Sequence, residues 1–467
     1  MRQVHLGPNG WLARYDEGFD ETGVARLVGG LGLFWASASP AATVLVGYDS
    51  RRDSPEFARL AGGVLASFGL NTVVSDAPCP LPALSWEAAR RKGCVGAVMV
   101  TGSETSCEYG GILARGADGG PLAQTFVEEA DALVTSMPAF DLGKTTSGDF
   151  TEAYLLALRS RIDQGKVLSS RLKVVVDPMY GPGRGVLSGL LHSLGCDVRE
   201  IHAEESETIG GIHPRACEPW VDDCEAAVVD SEADLGIVLN GDCSRCAIVD
   251  AEGRLVSPHH MVPLVLEHLV HDRGRQGRVV GTLSCSERLE RQARRLGCPF
   301  TLVPVGFQRI YEEAREGDVL LGVEEYGGMA FPYFFPGRDG LLAALYLIEM
   351  VATRKVGIRA LVNEQVEKIG HMDYRRKDLR LEPAAVQSFR NVLPGLNPHV
   401  VCGEVPREVS HADGLKLAFA DDSWLSIRPS RSSSVVRICA EASDVVRRDE
   451  LIDAACEIAR RGMHSME

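Results

Sequence analysis

The chain has 467 residues, 49 of them Lys or Arg and 64 Asp or Glu, for a formal net charge of −15. Apolar residues make up 45% and charged residues 24%, the balance of a chain that buries a core, and at about 100–200 residues per domain the length predicts three or four domains. The acidic balance argues against a nucleic-acid or membrane-surface partner, and the longest apolar run, near Leu341–Ala352, is interrupted by Glu349 and too short to span a bilayer.

The opening Met1-Arg2-Gln3-Val4-His5 lacks the apolar segment of a secretory signal, which predicts a cytoplasmic protein. A strand-like run, Thr43–Val46, leads into a helix with Ser54 as its cap and Pro55 in its first turn. Phe57, Leu60, Ala61, Val64, Leu65 and Phe68 line one face of that helix at helical spacing. It closes on Phe68-Gly69 and passes into a strand over Leu70–Val74. The same succession recurs from Lys173–Val176 through Leu194-Gly195 to Cys196–Ile201, and from Arg278–Val280 through Leu296-Gly297 to Cys298–Val303. Gly suits the left-handed residue just past a helix end, so each unit reads strand–loop–helix–strand. Three related α/β domains are predicted.

A helical run, Leu341–Val351, closes the third unit, and the charged stretch His371–Leu381 reads as a connector. Beyond it, a helix near Pro383–Leu393, strands at Gly414–Phe419, Trp424–Arg428 and Val435–Ala440, and an amphipathic helix near Glu450–Arg461 predict a different C-terminal piece. Boundaries near 148, 251 and 368 divide the chain into 1–148, 149–251, 252–368 and 369–467. The 13 Cys, an odd and scattered number, read as reduced thiols. Cys243-Ser244-Arg245-Cys246 has no second pair to complete a zinc site and reads as two thiols at a strand end.

Four polar loops fall at strand ends, where α/β sheets place ligands. The run Val98–Val100 delivers Thr101-Gly102-Ser103-Glu104-Thr105-Ser106, with Ser103 as a nucleophile. The run Ile237–Leu239 delivers Asn240-Gly241-Asp242-Cys243-Ser244-Arg245, whose oxygen side chains at Asn240, Asp242 and Ser244 suit one hard divalent cation. Glu324-Glu325-Tyr326-Gly327-Gly328 offers carboxylates to sugar hydroxyls. Arg428-Pro429-Ser430-Arg431-Ser432-Ser433-Ser434, followed by Arg437, sets guanidinium groups among hydroxyls and turn amides, a phosphate cradle.

In order and spacing these segments resemble the α-D-phosphohexomutases, the phosphoglucomutase and phosphomannomutase superfamily. Leu6-Gly7-Pro8-Asn9-Gly10-Trp11 resembles the family's opening F-G-T-[SD]-G-[WIV], Gly47-Tyr48-Asp49-Ser50-Arg51 its G-x-D-x-R, and Asp177-Pro178-Met179-Tyr180-Gly181 its D-P-M-H-G. Phe335-Pro336-Gly337-Arg338-Asp339-Gly340 and Asp413-Gly414-Leu415-Lys416 fall in family order. The resemblance implies an α/β fold of three similar mixed α/β domains plus a C-terminal α+β domain like the TATA-binding protein, around a central cleft.

It also implies a carbohydrate-metabolism function: phosphoryl transfer between the 1- and 6-positions of a hexose phosphate through a phosphoserine and Mg²⁺. The implied roles are phosphoryl acceptor for Ser103 and support of the phosphoserine for Arg245. Asp242, Asn240 and Ser244 would hold the metal. Glu324 and Tyr326 would meet the sugar, and Arg428, Ser430, Ser432 and Arg437 the distal phosphate. The sequence departs from the family at these places: T-A-S-H-N-P becomes Thr101–Ser106 with Glu104 for the His, and D-G-D-x-D-R keeps only Asp242 and Arg245. With two of three Asp ligands replaced, Mg²⁺ binding is expected to be weak or absent. Tyr326 replaces the sugar-contacting Ser, Gly328 a His, Gln308 a Lys after V-G-F, Leu12 an Arg, and Arg431 a Gly. The alternative reading is a catalytically impaired paralogue that binds a phosphosugar or a protein partner. No residue pattern sets the sugar or an oligomeric state.

Overall fold

The structure is a computed structural model, and it describes residues 4–7, 10–134, 144–430 and 434–464. Four sheets follow one another along the chain, the first of six strands and the others of five. In the first, Thr43–Tyr48 pairs in parallel with Asn71–Ser75 on one side and Cys94–Val100 on the other. The second repeats the trio with Lys173–Asp177 between Asp197–Glu200 and Leu235–Leu239, and the third with Arg278–Thr282 between Phe300–Val303 and Val319–Val323. Val44, Leu45, Val46, Val174, Val175, Val176, Val279 and Val280 are wholly buried, because helices cover both faces of such sheets.

The repeated glycines mark the joints of this architecture. Helices Ser54–Ser67, Val186–Ser193 and Glu287–Arg295 each connect the central strand of a trio to its parallel neighbour. Gly69, Gly195 and Gly297 follow them with φ of +82°, +80° and +71°, a region closed to most side chains. The remaining strand of each trio then turns back as an antiparallel hairpin, onto Tyr109–Gly116, Cys246–Asp250 and Met329–Phe331. Three equivalent hairpin loops result: 101–108, 240–245 and 324–328.

The fourth sheet is antiparallel throughout, in the order Asp373–Arg380, Val435–Ala442, Trp424–Pro429, Leu415–Ala418, Glu408–Ser410. Its Leu415, Leu417, Leu425, Ile427, Val436 and Ile438 pack on helices Pro383–Val392 and Val445–His464. The opposite face is polar, with Lys416, Ser426, Cys439 and Arg376 in one cross-strand row and Arg428, Arg437 and Asp378 in the next.

Two local expectations are corrected. His371–Leu381 is no connector: Asp373–Arg380 forms a full edge strand whose buried-side contacts are ionic, so it lacks an apolar stripe. Ser54 is not a cap; it is the first helical residue, and its hydroxyl donates to Asp49 Oδ1 at 2.6 Å.

Helix Gly340–Arg354 is apolar on all sides and buried from Gly340 to Ala352, sharing one core with the second and third domains. Its Glu349 is the exception. It pairs with His268 Nε2 at 2.9 Å and Arg273 Nη1 at 2.9 Å, while His268 Nδ1 meets Asp272 at 2.8 Å and Arg354 Nε reaches Asp272 at 3.0 Å. Burial works against a charged His268, but Asp272 and Glu349 outweigh it and raise its pKa above 6.5. The pairing therefore stabilises fully below the unfolded value and fades as pH rises through the folded one. Thermal unfolding of the native chain and His268→Gln from pH 5 to 9 should show a Tm gap that is widest at pH 5 and narrows toward pH 9. A constant gap would mean that His268 folds neutral.

Candidate active site

The Ser103 loop is built on one buried ion pair. Asp49 and Arg51 leave the central strand of the first sheet, 1% and 5% exposed, with Nε of Arg51 at 3.1 Å from Asp49 Oδ2. The Arg51 fork then donates to four loop carbonyls: Ser106 at 2.6 Å, Tyr109 at 3.1 Å, Thr105 at 2.7 Å and Ser103 at 3.2 Å. Asp49 accepts from Thr101 Oγ1 at 2.7 Å and the Gly102 N–H at 3.2 Å, and Thr101 Oγ1 accepts the Ser103 N–H at 2.8 Å. Ser103 is thereby held at φ 48°, a conformation that costs a non-Gly residue about 1–3 kcal/mol and concentrates at functional sites. The sequence motif marked Asp49 and Arg51 without giving them this role.

The second hairpin loop meets the first directly. Ser103 Oγ donates to Asp242 Oδ2 at 2.6 Å, while Asp242 Oδ1 accepts the Ser244 N–H at 3.0 Å. Gly241 permits the approach: a Cβ there would stand 2.3 Å from the Ser103 carbonyl oxygen. Burial opposes charge on Asp242, yet the Ser103 and Ser244 hydroxyls and the Arg338 guanidinium hold its pKa below the ordinary carboxylate value. Asn240 Oδ1 accepts the Arg245 N–H at 2.9 Å, and Asn240 Nδ2 donates to Glu104 Oε1 at 3.1 Å. The loops are cross-linked by Ser103–Asp242 and Glu104–Asn240.

The third hairpin loop closes the cluster. Glu324 Oε2 accepts from Arg338 Nη1 at 2.5 Å and from Arg245 Nη2 at 3.3 Å, and Arg245 Nη1 donates to Glu104 Oε1 at 2.8 Å. Burial works against the Arg245 charge, but Glu104, Glu324 and Asp242 outweigh it and raise its pKa. Burial likewise opposes the Glu324 charge, and Arg338 and Arg245 pull its pKa down. Ser103, Asn240, Asp242, Ser244, Arg245 and Glu324 thus lie in one connected set drawn from three domains. Glu104 and Arg338 join that set although the sequence reading gave neither a role; Glu104 stands 141 positions from its Arg245 partner, a distance no local pattern crosses.

Tyr326 lies at the edge of this set, 39% exposed, with the Arg376 guanidinium 5.1 Å from its ring centre. Arg376 grips Asp378 through Nε at 2.7 Å and Nη2 at 2.9 Å and lies 3.5 Å from Glu325, which also accepts from Tyr374 OH at 2.7 Å. Across the fourth sheet Arg428 stands directly opposite Arg437, a pairing of like charges that is unfavourable without an anion. Arg428 Nε is 3.5 Å from Asp413, and Arg437 Nε is buried with no acceptor among the described residues. Burial, Arg376 and Arg428 together push the Arg437 pKa down. A pocket lined by Ser284, Val305, Lys416, Ser426, Arg428 and Arg437 opens there. Ser430 is buried, and its N–H donates to Val435 O at 2.7 Å. Ser432 lies outside the described residues, as do Arg431 and Ser433. The Arg428–Arg437 pocket and the Ser103 cluster are separate, with Glu325, Tyr326 and Arg376 between them.

The chain matches three family models in succession: phosphoglucomutase/phosphomannomutase alpha/beta/alpha domain I over residues 3–138, domain II over 152–253 and domain III over 257–369. A phosphoglucomutase/phosphomannomutase of Thermococcus kodakarensis is 25% identical over 434 residues, covering 90% of each chain. A phosphoglucosamine mutase of Methylocella silvestris is 26% identical over 477 residues, covering 98% of each. The crystal structure of a candidate phosphomannomutase from Thermus thermophilus superposes with a TM-score of 0.87 at 28% identity, over 98% of this chain and 100% of that one.

Proposed function

The chain belongs to the phosphoglucomutase/phosphomannomutase family, the α-D-phosphohexomutases, and on that premise we propose that it isomerises a hexose phosphate through a phosphoryl group carried on Ser103. The observation that carries the reading is the 2.6 Å hydrogen bond from Ser103 Oγ to the buried, ionised Asp242. The hexose hydroxyl attacks phosphorus on phosphorylated Ser103, the P–Oγ bond breaks, the hydroxyl proton passes to the departing Oγ, and a hexose bisphosphate forms. After the sugar turns over, Ser103 Oγ attacks its other phosphate, the sugar O–P bond breaks, and the Ser103 proton ends on the departing sugar oxygen, releasing the isomeric monophosphate and restoring phosphoserine. Asp242 accepts the Ser103 hydroxyl proton in its hydrogen bond and orients Oγ for that return step. Arg245 supplies positive charge beside it, and Glu324 receives sugar hydroxyls. Arg428, Ser430, Ser432 and Arg437 hold the phosphate that is not reacting, and Tyr326 bounds the sugar. Such catalysis is mostly positioning and electrostatics.

A neighbour of the same fold, an N-acetylphosphoglucosamine mutase of Aspergillus fumigatus at 13% identity, is solved with GlcNAc-6P and magnesium. Here the hard donors are one ionised carboxylate, Asp242, with the Ser244 hydroxyl and the Asn240 amide oxygen. That set suits Mg²⁺ only when phosphoryl oxygens complete it, so affinity for the free ion is low. Bound there, Mg²⁺ neutralises phosphoryl charge.

The second reading, binding without turnover, draws on Glu104. Its carboxylate bonds Asn240 and Arg245, filling part of the electrostatic place of an anion. Intact mass of the freshly purified chain separates the two. Turnover predicts a fraction heavier by one phosphoryl group, absent in Ser103→Ala. An unmodified chain that also resists phosphorylation by a hexose bisphosphate would support binding alone.

A further inference from the structure

The fourth domain shares its carboxylates unevenly among Arg376, Arg428 and Arg437. Asp378 stands directly opposite Arg437 across the ladder, and Arg437 directly opposite Arg428. Side chains so placed start about 4.5–5.5 Å apart at Cβ, so a carboxylate at 378 is within reach of the Arg437 guanidinium, and opposite charges there attract. That cross-strand pair is nonetheless not made. Asp378 turns along its own strand to Arg376, on the same face, and takes both prongs of its guanidinium, Nε at 2.7 Å and Nη2 at 2.9 Å. Burial opposes charge on Asp378, but Arg376 outweighs it and holds the pKa below the ordinary carboxylate value.

The third domain holds Arg376 on that side. Its Nη1 lies 3.5 Å from Glu325 and its guanidinium 5.1 Å from the Tyr326 ring centre, while Glu325 is fixed by Tyr374 OH at 2.7 Å. Arg428 has Asp413 at 3.5 Å, although the same carboxylate oxygen also accepts the Val305 N–H at 3.1 Å. Among the described residues Arg437 is left over. Its Nε is buried with no acceptor there, and its cross-strand neighbour carries the same charge. A buried donor on a cation is costly to leave unpaired unless a ligand supplies the missing charge. Rotation of Asp378 toward Arg437 would remove that cost, and the grip of Arg376 prevents it.

We propose that Arg376 is a positioning residue for the pocket: by holding Asp378 in a two-pronged pair it keeps that carboxylate off Arg437 and leaves Arg428 and Arg437 to an incoming anion. Arg376 touches no phosphate in this role. Asp378 is the internal competitor, and Arg376 keeps it sequestered. In the phosphoryl-transfer reading, on which the role rests, the anion is the phosphate that is not reacting. The same guanidinium braces Glu325 and Tyr326, so one side chain sets both the sugar loop and the charge of the pocket.

Orthophosphate is the probe, titrated by calorimetry into the full-length chain. Arg428→Met defines the pocket component as the part of the binding that it removes. Arg376→Met should weaken that component by about tenfold, because the freed Asp378 then pairs with Arg437. Adding Asp378→Asn to Arg376→Met should bring it back to within about threefold of the native value, since the two sites act as one coupled unit. A purely structural role for Arg376 gives no such recovery, and melting curves follow the fold alongside. Binding that Arg428→Met leaves unchanged, that Arg376→Met leaves intact, or that stays lost in the double variant overturns the role. Orthophosphate is no substrate, so this role and the isomerase reading fail separately. Recovery of the pocket in a chain that converts no hexose phosphate keeps the first and rejects the second; turnover with a pocket indifferent to Arg376→Met does the reverse.

Discussion

Replacing Asp242 with Asn should lower kcat for hexose phosphate isomerisation by about 10²–10³-fold, the cost of removing one preorganised charge from such a site. Asp242 accepts the Ser103 hydroxyl on Oδ2 and the Ser244 N–H on Oδ1, and it is the single carboxylate of the loop 240–245. An Asn can keep the second bond but offers an amide N–H or a neutral oxygen to Ser103. The fold should therefore survive while the chemistry fails, which steady-state kinetics beside a melting curve will show. The sign of the acid dependence follows from the depressed pKa of Asp242. Its ionised form contributes stability above the unfolded value and loses it as pH falls through the folded one, so Asp242 stays charged throughout the neutral range. An Asp242→Asn enzyme with unchanged kcat would remove this carboxylate from the reaction.

The second large effect is a gain. Asn240→Asp with Ser244→Asp supplies two carboxylates beside Asp242, and the variant should bind free Mg²⁺ far more tightly than the natural loop. Without metal the change is unfavourable, because the new carboxylate at position 240 would face the Glu104 carboxylate that now accepts from Asn240 Nδ2. The metal-free variant should melt below the natural chain and recover with Mg²⁺. At a free concentration of about one hundred times Kd, binding adds about 2.7 kcal/mol. The natural chain should show only a small Mg²⁺ response unless a hexose phosphate is present. A variant whose melting ignores Mg²⁺ would mean that the loop no longer holds its donors around a common point.

The architecture was readable where the sequence repeats itself. Three strands, three helices and three glycines recur in the same succession, and equivalent hairpins then carry the loops that meet at the cleft. The strand Asp373–Arg380 escaped because half-buried Arg376 packs among Asp378, Glu325 and the Tyr326 ring, not against an apolar neighbour. The short edge strand Glu408–Ser410 has no apolar alternation to reveal it. At the site, Ser103 and Asp242 each stood in a legible loop, but their contact spans 139 positions. The Arg51 fork beneath Ser103 and the Glu104–Arg245 pair are likewise products of packing between distant segments.

Phosphorus NMR tests the central claim most directly. The purified chain is incubated with glucose 1-phosphate or mannose 1-phosphate, Mg²⁺ and a catalytic amount of the matching hexose bisphosphate, beside a Ser103→Ala control. The account predicts a growing 6-phosphate resonance with the natural chain and none with the control. Conversion that persists in Ser103→Ala, or no conversion while Arg428-dependent broadening of the sugar phosphate remains, would contradict Ser103 as the phosphoryl carrier.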